Sequence, residues 1–407
     1  MENEKLKMEN YKQTELGLIP EDWEVKEVKK IAKIYDGTHS TPNYVDYGIP
    51  FYSVEHITSN NFKNTKFISE EVFFNENKRV KLERGDILMS RIGDIGTAKY
   101  IDWDVNASFY VTLALFKKIT EKIDFKFITF SINSSVFAKE LHKRTLHVAF
   151  PKKINLGDIG KCKIPLPPLP EQKKIADCLS TWDSAIEKQN ALINALTDRK
   201  KALMQQLLTA KKRLPGFSGE WKEVKLGEII IDYKEKPNDN NNYEIFTSSK
   251  NGLMKQTDYY GDNRITNRTD ADYNIIPNGF ITYRSRSDDG LFTFNLNDLG
   301  VIGLISGYYP VFSFTKSNTQ FLLSFLNYFK SKLIKYAIGT SQLVLSINAL
   351  KEAKFKLPSL EEQTAIAEIL TIADRELQLQ KEKLAQLQTQ KKGLMQVLLT
   401  GKKRLIN

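Results

Sequence analysis

Two stretches of the chain place their apolar residues at alternating steps of four and three. The first runs Ile175, Leu179, Trp182, Ile186, Gln189, Ile193, Leu196, Lys200, Leu203, Leu207. The second runs Ile366, Leu370, Ala373, Leu377, Gln380, Leu384, Leu387, Lys391, Leu394, Leu398. A 3.5-residue spacing held this long predicts a coiled coil rather than an ordinary amphipathic helix. Pro167, Pro168 and Pro170 precede the first seam and Pro358 the second, where proline is compatible with a helix start. Only Gly393 interrupts the second seam. Both seams carry polar residues at matching places, Gln189 with Gln380 and Lys200 with Lys391. Such residues either fix register and partner, or are lysine stems snorkelling past the seam.

The two stretches are copies of one unit. Glu171-Gln172-Lys173-Lys174-Ile175-Ala176 returns as Glu362-Gln363-Thr364-Ala365-Ile366-Ala367, and Leu203-Met204-Gln205-Gln206-Leu207-Leu208-Thr209 as Leu394-Met395-Gln396-Val397-Leu398-Leu399-Thr400. Lys211-Lys212-Arg213-Leu214 returns as Lys402-Lys403-Arg404-Leu405, at the same offset of 191 residues and without a gap. Two such helices in one chain pair most simply with each other, and a local two-fold between them predicts an antiparallel pair. A seam of about 33 residues at 1.5 Å each is roughly 50 Å long, a spacer between two bodies. After Leu214 the chain reads Pro215-Gly216-Phe217-Ser218-Gly219, a turn-rich link.

Upstream of each helix the pattern changes to short, strand-like runs. Trp23-Glu24-Val25-Lys26-Glu27-Val28 is echoed by Trp221-Lys222-Glu223-Val224-Lys225-Leu226. Gly85-Asp86-Ile87-Leu88-Met89 is echoed by Gly279-Phe280-Ile281-Thr282-Tyr283, each a turn glycine before a strand. Beyond these landmarks the two regions diverge. The predicted fold class is α+β: two mixed α/β regions joined by two long helices in an antiparallel coiled coil with pseudo-two-fold symmetry. The expected segments are 1–19 (an N-terminal piece), 20–165 (first globular region), 166–214 (first helical spacer), 215–356 (second globular region) and 357–407 (second spacer).

Composition narrows the class. Hydrophobic residues make up 41% and aromatics 11%, as in a folded soluble protein. Two cysteines, Cys162 and Cys178, give no disulfide framework, so a reducing cytoplasm is expected. No apolar run is long enough for a membrane span, and Met1-Glu2-Asn3-Glu4-Lys5 does not open a signal peptide. The net charge of +11 favours a polyanionic partner but is spread along the chain.

Polar-aromatic loops supply the candidate contacts. In the first region these are His39, Ser40, Thr41, Asn43 and Tyr44, then Lys78 and Arg79, then Arg91. In the second they are Ser248, Lys250 and Asn251, then Arg264, Asn267 and Arg268, then Arg284 and Arg286. Arginine pairs bidentately with guanine and asparagine with adenine, while Ser, Thr, Tyr and Lys suit phosphates. The same residue types also make ordinary surface turns. The helix-end clusters Arg199-Lys200-Lys201 and Lys211-Lys212-Arg213 meet either phosphates, a protein partner or solvent.

Catalytic signatures are missing. The chain has no phosphate loop, no dinucleotide fingerprint and no nucleophile elbow. His39, His56, His142 and His147 form no metal-ligand spacing. No metal site is expected, and a recognition role leads.

Leu166-Pro167-Pro168-Leu169-Pro170-Glu171-Gln172, echoed by Leu357-Pro358-Ser359-Leu360-Glu361-Glu362-Gln363, resembles the repeated regions of type I restriction-modification specificity subunits. The helix endings before Lys211 and Lys402, the opening Thr14-Glu15-Leu16-Gly17-Leu18-Ile19-Pro20-Glu21-Asp22-Trp23 and the Gly85-Asp86-Ile87-Leu88 run are similar too. The resemblance covers essentially the whole chain. It implies a non-catalytic DNA-binding subunit whose two globular regions are target-recognition domains, each reading half of a bipartite sequence in double-stranded DNA. It implies that the helices set the unread spacer and dock two methyltransferase subunits, which bind S-adenosylmethionine and methylate adenine. Restriction subunits joining through that complex would use ATP and Mg to translocate and cleave unmethylated phage DNA. No cofactor is expected on this chain. Two other readings stay open: a coiled-coil assembly protein without a DNA target, and a nuclease built on unrecognised carboxylates.

Overall fold

The computed structural model describes residues 10–238, 243–250, 252–260 and 273–406. It divides into two compact units, Met1–Asn190 with Glu382–Asn407, and Ala191–Lys381. The divisions fall inside the long helices rather than at their starts. Each globular region packs on the beginning of one helix and the end of the other.

Unit one contains β1 (Tyr11–Thr14), β2 (Gly17–Pro20), β3 (Glu24–Glu27), β4 (Ala32–Asp36), β5 (Tyr44–Val45), β6 (Ile49–Tyr52), β7 (Lys66–Ile68), β8 (Ile87–Ile92), β9 (Asp94–Tyr100), β10 (Ser108–Phe109), β11 (Leu113–Lys118), the helix α1 (Phe125–Ile132) and β12 (Lys163–Leu166). The helix α2 (Leu169–Leu207) follows. One antiparallel sheet has the order β4-β11-β8-β9 and a second has the order β10-β6-β7-β5, with β10 and β6 parallel. β12 pairs antiparallel with β3 and leads straight into α2.

Unit two repeats the plan with β13 (Lys222–Lys225), β14 (Ile230–Tyr233), β15 (Glu244–Ser249), β16 (Gly252–Lys255), β17 (Tyr273–Ile276), β18 (Ile281–Tyr283), β19 (Arg286–Ser287), β20 (Phe294–Leu296), β21 (Gly303–Ser306), β22 (Val311–Phe314), the helix α3 (Thr319–Tyr328), β23 (Leu343–Val344) and β24 (Lys354–Leu357). The helix α4 (Leu360–Leu398) follows and runs through Gly393. Its antiparallel sheet, β14-β22-β18-β20, has the same order as β4-β11-β8-β9, and β15 and β21 again form a parallel pair. Gly85 and Gly279 both take positive φ before the equivalent strands, as their sequence position predicts.

Every seam position from Ile175 to Leu207 and from Ile366 to Leu398 is buried or half-buried. In unit one, Glu171 of α2 bonds Arg404 beyond α4, and Asp183 bonds the seam residue Lys391. In unit two, Lys200 bonds Asp374, and Arg213 bonds Glu362. In both units numbers rise along one helix as they fall along the other, so the pairing is antiparallel. Each contact in unit one has its counterpart in unit two exactly one repeat away, so both seam lysines are held by a cross-helix aspartate rather than merely passing the seam. Among the described residues no helix is long and apolar enough to cross a membrane.

The Glu-Gln pair at the start of each long helix has two separate tasks. Gln172 accepts a hydrogen bond at Oε1 from the N–H of Asp124 (2.9 Å), the residue that caps α1. Gln363 does the same for Asn318 (2.9 Å), which caps α3. The glutamate of each pair accepts both arms of an arginine from the other helix's tail: Arg404 reaches Glu171 at 2.7 and 2.8 Å, and Arg213 reaches Glu362 at 2.7 Å twice. Arg404 also holds Asp22 at 2.9 and 2.7 Å, and the Trp23 indole N–H donates to Glu171 at 3.1 Å. Three residues beyond α4, Gly401 takes φ 70°, and an added Cβ there would lie 2.3 Å from Pro20. Leu398 and Leu399 enter the core of unit one beside Trp23, Phe127 and Ile175, while Leu207 and Leu208 enter that of unit two beside Phe312, Phe321 and Ile366.

Candidate nucleic-acid interface

In unit one the candidate site starts where β4 ends. Gly37 passes so close to β10 that an added Cβ would lie 2.0 Å from the Phe109 carbonyl oxygen. The Thr38 N–H donates to that oxygen at 3.1 Å. This contact turns the next residues outward, and His39, Ser40, Thr41, Asn43 and Tyr44 are all exposed. Asp36 stays behind, buried, and holds what the loop presents. His39 Nε2 lies 2.8 Å from its Oδ2 and Arg79 Nη2 2.7 Å from its Oδ1. Burial pushes the Asp36 carboxyl up, but the bonds from Arg79 and His39 outweigh it and hold the group below its ordinary value.

His39, Lys78 and Arg79 thereby line one shallow cleft of about 220 Å³ with Asn75 and Glu76. Thr41 Oγ1 lies 3.2 Å from the Tyr110 hydroxyl. The Lys66 ammonium sits 4.6 Å from the centre of the Tyr44 ring, a cation–π contact that sequence reading did not single out. Lys78 rests over Phe74.

Arg91 is corrected. Its side chain is buried, donating from Nε to the Val111 carbonyl at 2.9 Å and from Nη1 to the Ile154 carbonyl at 3.0 Å, with Asp36 3.5 Å away. It is an internal strut and presents nothing to a ligand.

In unit two, Lys250, Arg284 and Arg286 come together on one cleft of about 900 Å³, together with Gln256, Tyr259 and Tyr260. Arg284 is exposed and has no ion-pair partner among the described residues. Arg286 lies over the Tyr308 ring at 4.7 Å. Lys250 pairs with Asp289, whose carboxyl is held below its ordinary value by bonds from Lys250, Ser287 and the Leu291 N–H. The cleft therefore sets Arg284 and Arg286 beside aromatic rings, a combination that suits phosphates and base faces, with Asp288 and Asp289 also on its wall.

Ser248 is corrected as Arg91 is: it is buried and accepts a hydrogen bond from Asn295 at 2.7 Å. The stretch Thr247–Ser249 belongs to β15, so it is a strand rather than the counterpart of the loop after Asp36. Asn251, Arg264, Asn267 and Arg268 lie outside the described residues. The tyrosines of this cleft escaped sequence reading because Tyr259 and Tyr260 sit in a short helix, Gln256–Tyr260, away from any motif.

Among the described residues no group of three His, Cys, Asp or Glu side chains could hold a metal. Burial pushes the Cys162 thiol up to about 12, far from a reactive thiolate.

The sequence pattern of the type I restriction modification DNA specificity domain matches twice, over residues 20–198 and 218–389. The chain belongs to that family. Its two matches correspond to the two repeats of the fold, each a globular region with most of its own long helix. As a specificity-domain protein it is a recognition component and not a catalyst. Two curated relatives from Methanocaldococcus jannaschii span nearly the full chain. The putative type I restriction enzyme MjaX specificity subunit is 28% identical, covering 98% of each chain. The type I restriction enzyme MjaVIII specificity subunit is 29% identical, covering 98% of this chain and 97% of that one. The fold is also similar to the crystal structure of a type I restriction-modification S subunit from M. genitalium, with a TM-score of 0.59 at 14% identity, covering 92% of this chain and 96% of that one.

Proposed function

We infer that this chain is the DNA-recognition subunit of a type I restriction-modification complex, and that each globular region reads one half of a bipartite target. The observation that carries this is a conserved scaffold under two unlike surfaces. Both units keep the same sheet order and the same glutamate–arginine and lysine–aspartate bonds. Yet one presents His39, Tyr44, Lys78 and Arg79, and the other Lys250, Arg284, Arg286 and a pair of tyrosines. Equal frames with unequal faces suit two different half-sequences.

The long helices are the natural place for two methyltransferase subunits to dock, because their sequence repeats without a gap at a constant offset. S-adenosylmethionine belongs on those subunits, and ATP with Mg on restriction subunits joined through them. Helix length then sets the unread spacer: removing one heptad from each helix takes out about 10 Å, roughly three base pairs.

Single-molecule methylome sequencing of cells carrying this chain and its methyltransferase tests the reading. A bipartite methylated motif that disappears when the chain is deleted is the expected result, and Arg284→Ala should relax only one of its halves. A continuous motif, or methylation indifferent to the deletion, would overturn it.

A further inference from the structure

Unit one carries a loop that the reading above does not use. It runs from Leu146 to Lys153, and its neck is closed by the Leu146 N–H donating to the Lys153 carbonyl at 2.9 Å. The neck is fixed to the sheet as well. Gly93 N–H donates to the Lys152 carbonyl at 2.8 Å, and Ile154 N–H to the Arg91 carbonyl at 3.0 Å. On this anchored neck the tip is fully exposed: Val148 at 99% and Phe150 at 102% of their free surface. With Leu146 39% exposed at the neck, the loop gathers three exposed apolar side chains in one place, the kind of surface that marks an interaction site.

The surroundings say what kind. No acidic residue occurs between Glu140 and Asp158. Lys143 and Arg144 share the Glu140 carboxylate, whereas Lys152 and Lys153 are exposed and have no carboxylate partner among the described residues. An apolar ring flanked by uncommitted cations fits a stacked polyanion better than a mixed protein surface. The equivalent loop of unit two, closed between Ile338 and Val344, carries Gly339-Thr340-Ser341-Gln342 at its tip. Gln342 there bonds Asp288. The aromatic tip is thus particular to unit one.

We propose that the Leu146–Lys153 loop is a wedge that inserts Phe150 between base pairs of the half-site read by unit one, with Lys152 and Lys153 on the adjoining phosphates. Side chains of this kind unstack a base step and kink the duplex, which makes the sequence's deformability part of what is read. The inference rests on the recognition reading above.

The test uses the full chain assembled with its methyltransferase subunits and a duplex carrying the motif assigned by methylome sequencing. The fluorescent base 2-aminopurine is placed at successive positions of each half-site. Binding should brighten the probe at one step of one half-site. Phe150→Ala should abolish that rise and weaken binding about 10- to 100-fold, leaving the slope of log affinity against log salt unchanged. Lys152→Ala with Lys153→Ala should keep the rise and lower that slope by roughly 0.9 for each lysine. Phe150 is fully exposed, so its replacement removes nothing from either core and the variant is expected to fold. Binding and brightening by Phe150→Ala equal to the unaltered protein would overturn the wedge. So would a Phe150→Ala chain that no longer captures methyltransferase, which would make the loop a protein-docking surface. An unaltered assembly that binds motif and scrambled duplexes equally would instead defeat the recognition reading itself.

Discussion

At the scale of single residues, Asp36 is the organiser of the first candidate surface. One buried carboxylate meets His39, Arg79 and Arg91, two of them displayed to solvent and one internal. Its pKa is held below the ordinary value of 3.8, so its contribution to stability is present above that value and is lost as pH falls through the lower, folded-state pKa. Asp36→Asn should therefore cost about 2 kcal/mol at neutral pH, and the two proteins should converge in stability as pH falls through the lowered, folded-state pKa. Denaturant unfolding at a series of pH values checks this; a difference that persists at low pH would show that shape rather than charge is at work. The same site marks a limit of sequence reading. Arg91 looked like a surface arginine because Ser90 and Gly93 beside it read as a loop. Its acceptors, Val111, Ile154 and Asp36, are 20 or more residues away, so no local pattern reveals that it is internal.

Among the elements, the long helices were the most legible. Their seam is a one-dimensional pattern, and the structure buries it position by position. The short strands were less so: Thr247–Ser249 reads as a polar turn, yet pairing with β16 makes it a strand. What the seam alone did not show is that the helix starts and ends are bolted together by arginine on glutamate. Both glutamates are nearly inaccessible, with 3% and 2% side-chain exposure. Arg213→Ala should cost about 3 kcal/mol by stranding the Glu362 carboxylate. Arg404→Ala should cost no more, although Arg404 makes more bonds, because Glu171 keeps the Trp23 indole N–H while Glu362 has no second side-chain donor among the described residues. Adding Glu362→Gln to Arg213→Ala should recover most of the loss. Thermal unfolding of the three variants gives the comparison, and a lack of recovery would mean that the arginine acts through packing.

For the molecule as a whole, the constant 191-residue offset disclosed the architecture, because duplicated helices with duplicated entry strands require duplicated frames. The reading surfaces escaped it, since they are the part in which the copies differ. The net charge of +11 belongs at this scale too. If the assembled protein neutralises six or more phosphates, its affinity for duplex DNA should fall about 1,000-fold between roughly 50 and 200 mM salt. Fluorescence anisotropy titrations across that range measure it, and a flat response would leave the positive surplus without a nucleic-acid role.

Unit one is assembled from two separated stretches of chain, Met1–Asn190 and Glu382–Asn407, whereas unit two is continuous. During synthesis, therefore, the domain begun first is finished last. At ordinary translation rates the ribosome spends roughly 10–40 s making the 191 residues of Ala191–Lys381 before Leu398, Leu399 and Arg404 exist to close the first core. The nascent chain must carry an open apolar seat through that interval, and the usual order of folding, first made and first folded, is reversed.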